Sequence, residues 1–374
     1  MKFTCTRENL KQALDIVSSL AGKHAHLPIL SNVLIQAQET KVEFISTNLE
    51  VAIKTLVRAK VEQPGSFTVP AKTLTDFVHL LEQENVDVLS EGNELILQSG
   101  NSNTKIKGTP AEEYPVLPDV EEQHGYVVDS FTLKDGLQKT AIAVAKNEIR
   151  PELAGVYWRF WSERYDGLLL AATDSYRLAE TKVPLLQGGD KDVSCIVPAR
   201  VVYEAIRLLS GVVSSEEKQV RIFVSENQMA LRYGPFEMSA RLIQGRYPDY
   251  AQIIPTSFKT TATVSINALV TKIKAASLFT TTGINAVSFD LNVSEKTIGV
   301  SSASTQTGEH SSELEVDIKG EENSILLNHR YVLDGLQHMD LEQAEFCVNS
   351  SDAPCLFQPL GNQNYLYIVM PIRQ

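Results

Sequence analysis

Apolar positions along the chain follow two periods, and the two periods alternate in a recurring order. FTVPAKTLTDFVHLL from Phe67, CIVPARVVYEAIRLL from Cys195 and ILLNHRYVLDGLQHM from Ile325 each open on a short aliphatic run. Each then continues with apolar residues at helical spacing, which predicts a strand leading straight into an amphipathic helix. Pro70 and Pro198 stand at the first two junctions, where a missing N–H costs nothing, and Asn328 stands at the third as an N-cap. The three starts lie 128 and 130 residues apart.

A second set precedes these: FTCTRENLKQALDIVSSLA from Phe3, FTLKDGLQKTAIAVAK from Phe131 and VSINALVTKIKAASLF from Val264, with Leu10, Leu137 and Leu269 at matching places. A third set follows: VDVLSEGNELILQSG from Val86, VRIFVSENQMALRYG from Val220 and AEFCVNSSDAPCLFQP from Ala344. Their alternation around Gly, Asn and Ser predicts hairpins. Tyr114-Pro115 and Tyr247-Pro248 mark exits from the first two copies. One unit of strand, helix, several strands, helix and hairpin thus occurs three times, predicting α+β domains over residues 1–120, 121–255 and 256–374. The closing strand, Tyr365 to Val369, has little sequence after it to cover it and is expected to be exposed.

Hydrophobic residues at 43% and charged residues at 21% describe an ordinary folded, water-soluble chain. The N-terminus has neither a signal-peptide pattern nor an apolar run, so no membrane association and a cytoplasmic location are expected. Lys and Arg number 34 against 46 Asp and Glu, a formal charge of -12, which excludes an indiscriminately basic nucleic-acid binder but not a locally basic face. Cys5, Cys195, Cys347 and Cys355 form no C-x-x-C pair and read as buried thiols. His24 and His26 are the only close histidines and lack a third ligand. No phosphate-binding glycine loop and no nucleophile elbow occurs, and no cofactor is expected. Asp174 and Asp249 stand in turn-like strings beside Arg or Tyr and read as carboxylates in solvated salt bridges.

With the threefold repeat, the strings MKFTC, Leu27-Pro28-Ile29-Leu30, Val69-Pro70-Ala71, Ala172-Thr173-Asp174, Tyr176-Arg177-Leu178, Tyr247-Pro248-Asp249-Tyr250 and Val369-Met370-Pro371-Ile372-Arg373 together resemble, end to end, the bacterial sliding clamps, the beta subunits of DNA polymerase III. The resemblance implies three repeated sliding-clamp domains per chain, with helices lining a ring lumen and antiparallel sheets outside, and two chains joined head to tail as a homodimer. Twelve inner helices spaced roughly 8 to 10 Å apart leave a bore of about 20 to 28 Å, wide enough for duplex DNA. With Lys23, Glu82 and Asp340 at their ends, the six candidate lining segments carry twelve basic and eight acidic residues, so the remainder holds the acidic excess. That distribution suits weak, sequence-independent attraction to phosphates.

By the same resemblance, the protein is a non-catalytic processivity factor. Its implied partners are duplex DNA, the replicative polymerase, a clamp loader and other peptide-bearing replication and repair proteins. A client-peptide cleft would comprise Leu153, Thr173, Asp174, Tyr176, Arg177, Leu178, Pro248, Gln252, Ile253, Ile368, Met370, Pro371, Ile372 and Arg373. DNA-facing residues would be Lys23, His24, Lys72, Lys146, Asn147, Arg150, Arg200 and Arg207, and the subunit seam would use Thr104, Ile106, Ser277, Leu278 and Phe279. Ser175-Tyr176 replaces a frequent Gly-His of the family, Gln252 stands where a basic residue is common, and Pro151-Glu152 occupies positions that can be aromatic. Read from the residues alone, an enzyme built on three repeats and a monomeric interaction scaffold remain alternatives, distinguished by turnover and by mass in solution.

Overall fold

Five of the six strand-to-helix junctions expected from the repeat lie where the repeat places them; in the segment from Phe131, expected to open on a strand, the strand has already ended at Asp129 and Phe131 is helical. Helices α1 (Arg7–Val17), α2 (Ala71–His79), α3 (Ser130–Ala141), α4 (Ala199–Gly211), α5 (Ile266–Ser277) and α6 (His329–Leu336) each begin on the residue after a strand ends. The computed structural model describes residues 1–22, 27–115, 120–147, 149–189, 191–211, 218–281 and 283–373. Thr6 caps α1 by accepting the Asn9 N–H, and Asn328 caps α6 by accepting the Arg330 N–H. Leu10, Leu137 and Leu269 are buried at matching places on α1, α3 and α5.

The chain divides into two compact units. One holds residues 1–131, 186–189 and 204–242, and the other holds 132–185, 190–203 and 243–374. The first contains a five-stranded sheet ordered Ala59–Gln63, Lys2–Thr6, Asn85–Glu91, Glu94–Ser99 and Ser102–Lys107. It also contains a nine-stranded sheet in which strands from the first 70 residues join strands from 124 to 241, through antiparallel pairing of Val51–Val57 with Phe236–Arg241. In the second unit, Arg177–Val183 pairs with Tyr365–Val369 and builds another nine-stranded sheet. A four-stranded sheet there runs Gly308–Glu315, Thr297–Ser304, Ala286–Asn292 and Asn323–Asn328.

This pairing corrects the expectation of an exposed final strand. Tyr365, Tyr367, Ile368 and Val369 are at most 2% exposed, because Tyr365–Val369 lies between Arg177–Val183 and Cys355–Pro359. Its cover comes from residues nearly 190 positions away rather than from following sequence. Helix α6 lies over this strand, and Tyr367 Oη donates to the Tyr331 carbonyl at 2.9 Å. The closeness of the helix depends on Gly335, where a Cβ would overlap the Tyr367 ring.

Among the described residues no helix is long and apolar enough to cross a membrane. All four cysteines are free. Burial pushes the thiols of Cys5 and Cys195 up to about 12 and that of Cys347 up to about 11, so they stay protonated at neutral pH.

Gly335→Ala should therefore destabilise the protein by about 1 to 3 kcal/mol through overpacking, although alanine is the better helix former. A denaturant midpoint equal to or above that of the parent would contradict this packing.

Candidate functional site

The tight loop from Thr173 to Leu178 is held by its own side chains. Thr173 Oγ1 donates to the Arg177 carbonyl at 2.7 Å and accepts the Ser175 N–H at 3.1 Å. Asp174 Oδ1 accepts the N–H groups of Tyr176 and Arg177, each at 3.0 Å. These bonds hold Ser175 at φ +76°, a left-handed conformation unusual for a residue with a Cβ. The loop projects Tyr176, which is 63% exposed.

Arg177 turns the other way and is buried. Its Nε donates to Asp174 Oδ2 at 3.1 Å, its Nη1 to Asp334 Oδ2 at 2.5 Å, and its guanidinium lies 4.5 Å from the Tyr331 ring centroid. Asp334 and Tyr331 are both on α6, so Arg177 ties the loop to that helix. Asp174 does form a salt bridge, but with the buried Arg177 and not in solvent as expected. Asp249 instead accepts from Gln252 Nε2 at 2.8 Å.

Beneath the loop, Leu153, Leu178 and Ile368 pack in one cluster with Ala171, Ile196, Tyr247 and Tyr250. Leu178 and Ile368 have no exposure, so they belong to the core beneath the loop and offer no surface of their own. Tyr247 stacks on Tyr157 with ring centroids 4.9 Å apart, and its Oη accepts the Thr173 N–H at 3.0 Å. Burial raises the Tyr247 phenol well above its ordinary range, keeping it neutral in that role. Met370, Pro371 and Ile372 follow the buried strand and are half-buried, while Arg373, Gln252 and Ile253 are exposed and Pro248 is half-buried. The Met370 N–H donates to the Tyr176 carbonyl and the Ile372 N–H to the Leu326 carbonyl, both at 2.8 Å. All fourteen residues nominated for the cleft lie in one compact unit.

The residues nominated to face DNA fare unevenly. Lys23 and His24 lie outside the described residues. Lys72, Lys146, Asn147 and Arg200 are exposed, with Lys72 in a weak surface pair with Asp76 at 3.3 Å. Arg150 is exposed and donates to Glu152 Oε1 at 3.0 Å; the Glu152 carboxyl is held below its ordinary range by its own backbone N–H and then by Arg150. Arg207 is engaged within the protein: its guanidinium bonds Glu204, the carbonyls of Asp15 and Ile16 and the Ser19 hydroxyl, so its donors clamp α4 onto α1 while the side chain stays partly exposed.

The nominated seam residues also divide. Ile106 is only 7% exposed because its side chain turns into its own core, so it cannot serve as an apolar anchor; Thr104, on the same face, is half-buried. Leu278, at the end of α5, is 71% exposed, and Ser277 and Phe279 beside it are half-buried. Phe279 stacks on His310, centroids 5.8 Å apart, beside the edge strand Gly308–Glu315.

The sequence reading passed over Tyr157, Tyr331 and Asp334. Their signal is absent locally, because each acts on a residue far away in the chain. No group of three or more His, Cys, Asp or Glu among the described residues could hold a metal. The loop is held rigid by its own hydrogen bonds and the short tail is bonded to it through the Met370 N–H and the Tyr176 carbonyl.

Family profiles match in succession: DNA polymerase III beta subunit, N-terminal domain, over residues 1–118, the central domain over 127–249 and the C-terminal domain over 251–373. A beta sliding clamp of Bacillus subtilis is 29% identical over 385 residues, covering all of both chains. One from Synechocystis sp. is 28% identical over 393 residues, covering all of this chain and 99% of the relative. The crystal structure of the DNA polymerase sliding clamp from Bacillus subtilis superposes with a TM-score of 0.93 at 27% identity, covering all of this chain and 99% of that one. Matched along nearly its whole length, the chain belongs to the DNA polymerase III beta subunit family.

Proposed function

We propose that this chain is a sliding clamp that encloses duplex DNA as a head-to-tail homodimer and tethers the replicative polymerase. It catalyses no reaction of its own. Three domains, over residues 1–120, 121–255 and 256–374, each supply two helices and two half-sheets to the ring. The observation that carries the reading is the state of the sheet edges. Phe236–Arg241 and Tyr365–Val369 are the last strands of their hairpins, and each is paired within the chain to a strand from an earlier repeat. Ser102–Lys107 is the equivalent strand of the first repeat, yet it is the edge of a five-stranded sheet. Gly308–Glu315 is likewise the edge of a four-stranded one.

Such edges present unpaired N–H and C=O groups. A second copy offering Gly308–Glu315 to Ser102–Lys107 would build a sheet of nine, the size of the two internal ones, and the relation closes when both ends pair. Leu278 and Phe279 sit beside the offered strand, with Ser277, and Thr104 lies on the accepting one. The exposed Lys72, Lys146, Asn147, Arg150 and Arg200 then contact phosphates weakly and without reading bases. The surface over Leu153, Leu178 and Ile368, bounded by Tyr176, Ile253, Met370, Pro371 and Ile372, takes the apolar side chains of client peptides. A clamp loader and other replication and repair proteins share that cleft, in the cytoplasm.

Leu278→Asp places a charge in the seam and should give a monomer by sedimentation equilibrium, with an unchanged far-UV spectrum. A dimer of the parental mass would show that the seam lies elsewhere.

Replacing Met370 and Ile372 together by serine keeps both backbone hydrogen bonds of the tail while removing two apolar contacts of about 1.5 to 3 kcal/mol each. Affinity for the polymerase should fall roughly a hundredfold or more, with the dimer intact. Unaltered polymerase affinity in fluorescence anisotropy would remove the cleft assignment.

A further inference from the structure

The loop from Thr47 to Ala52 repeats the cleft loop bond for bond, at the other internally paired junction. Thr47 Oγ1 donates to the Val51 carbonyl at 2.8 Å and accepts the Leu49 N–H at 3.0 Å. Asn48 Oδ1 accepts the N–H groups of Glu50 and Val51 at 3.0 and 2.8 Å, as Asp174 does for Tyr176 and Arg177. The Arg241 N–H donates to the Glu50 carbonyl at 3.0 Å, the counterpart of the Met370 bond to Tyr176. Leu49 sits at φ +75°, where Ser175 sits at +76°.

A concavity of about 240 Å³ opens at this loop, lined by Leu49, Glu50, Val120, Gln228, Ser239 and Arg241 among others. That volume holds one aliphatic side chain. Leu49 is a bulky residue held in the left-handed region, and it is 46% exposed, so core burial does not offset the strain. Glycine or asparagine would fit the turn at less cost. Where the client cleft has Tyr176 and Met370, this groove has Glu50 and Arg241, both exposed and with no side-chain partner among the described residues. The same backbone frame therefore carries an exposed acid and an exposed base, joined through the Glu50 carbonyl, next to an exposed leucine.

We propose that this is a second docking groove, for an extended peptide with one aliphatic side chain flanked by a carboxylate and a cationic group. The aliphatic group packs on Leu49, the carboxylate meets Arg241 and the cation meets Glu50. Charge complementarity selects this occupant over the purely apolar peptides suited to the other cleft. The inference rests on the client-cleft reading only in taking the shared frame as one that holds peptides.

The test is saturation-transfer difference NMR on the full chain, with acetyl-Gly-Lys-Leu-Asp-Gly-amide as the probe. The leucine methyls of the probe should receive saturation from the parent protein. Arg241→Glu and, separately, Leu49→Gly should each cut that signal at least fivefold. Leu49→Gly relieves the left-handed strain, so its Tm should match or exceed that of the parent, which separates loss of binding from loss of fold. The Met370 and Ile372 double serine variant should keep the signal. No transfer with the parent, or transfer that survives both Arg241→Glu and Leu49→Gly, overturns the proposal. Transfer lost only in the double serine variant places the probe in the client cleft, refuting the second groove while leaving the first reading intact.

Discussion

Antiparallel backbone pairing between strands remote in sequence is the interaction on which the rest of this structure depends. A repeat of this kind leaves open strand edges, and an open edge is a row of unsatisfied donors and acceptors. Pairing Val51–Val57 with Phe236–Arg241, and Arg177–Val183 with Tyr365–Val369, satisfies those groups and makes one continuous sheet from two repeats in each compact unit. The compact units therefore cut across the sequence repeats.

The junction also shapes the proposed binding surface. Where Arg177–Val183 meets Tyr365–Val369, the loop before one strand and the tail after the other emerge side by side, bonded through the Tyr176 carbonyl and the Met370 N–H. Thr173 and Asp174 fix that loop from within, and Arg177 anchors it to α6 through Asp334 and Tyr331. A peptide that docks there meets a surface whose backbone is already set, so little ordering entropy is spent on the protein side. Leu153, Leu178 and Ile368 belong to the core, so the proposed cleft borders directly on sheet packing.

Local order was legible in the sequence, and remote pairing was not. Pro70, Pro198 and Asn328 marked helix starts because proline and asparagine act on their own backbone, and the leucines at 10, 137 and 269 announced their burial through helical spacing. Tyr365 to Val369 looked uncovered because its cover is Arg177–Val183, and no local pattern records a partner so distant. Ile106 reads as an apolar residue on a strand, but which face it occupies depends on register, which turns it inward. Arg207 reads as a lumen cation, yet two helix C-terminal carbonyls of α1 and the Glu204 carboxylate capture it. Tyr247 was visible only as part of a turn, while its stacking on Tyr157 and its bond to Thr173 belong to the folded sheet.

Sliding requires that the protein hold DNA by enclosure, with phosphate contacts too weak and too uniform to stop it. Topology is thus the central claim, and it is separable from affinity. The direct measurement is retention of the clamp, loaded by its cognate loader, on nicked circular duplex during gel filtration at moderate salt, before and after a single cut linearises the circle. The account predicts co-elution with the circle and loss of the protein once ends are available, with retention restored when both ends are blocked by bound protein. Equal retention on circular and linear DNA, or elution from the intact circle as salt rises through the physiological range, would contradict it.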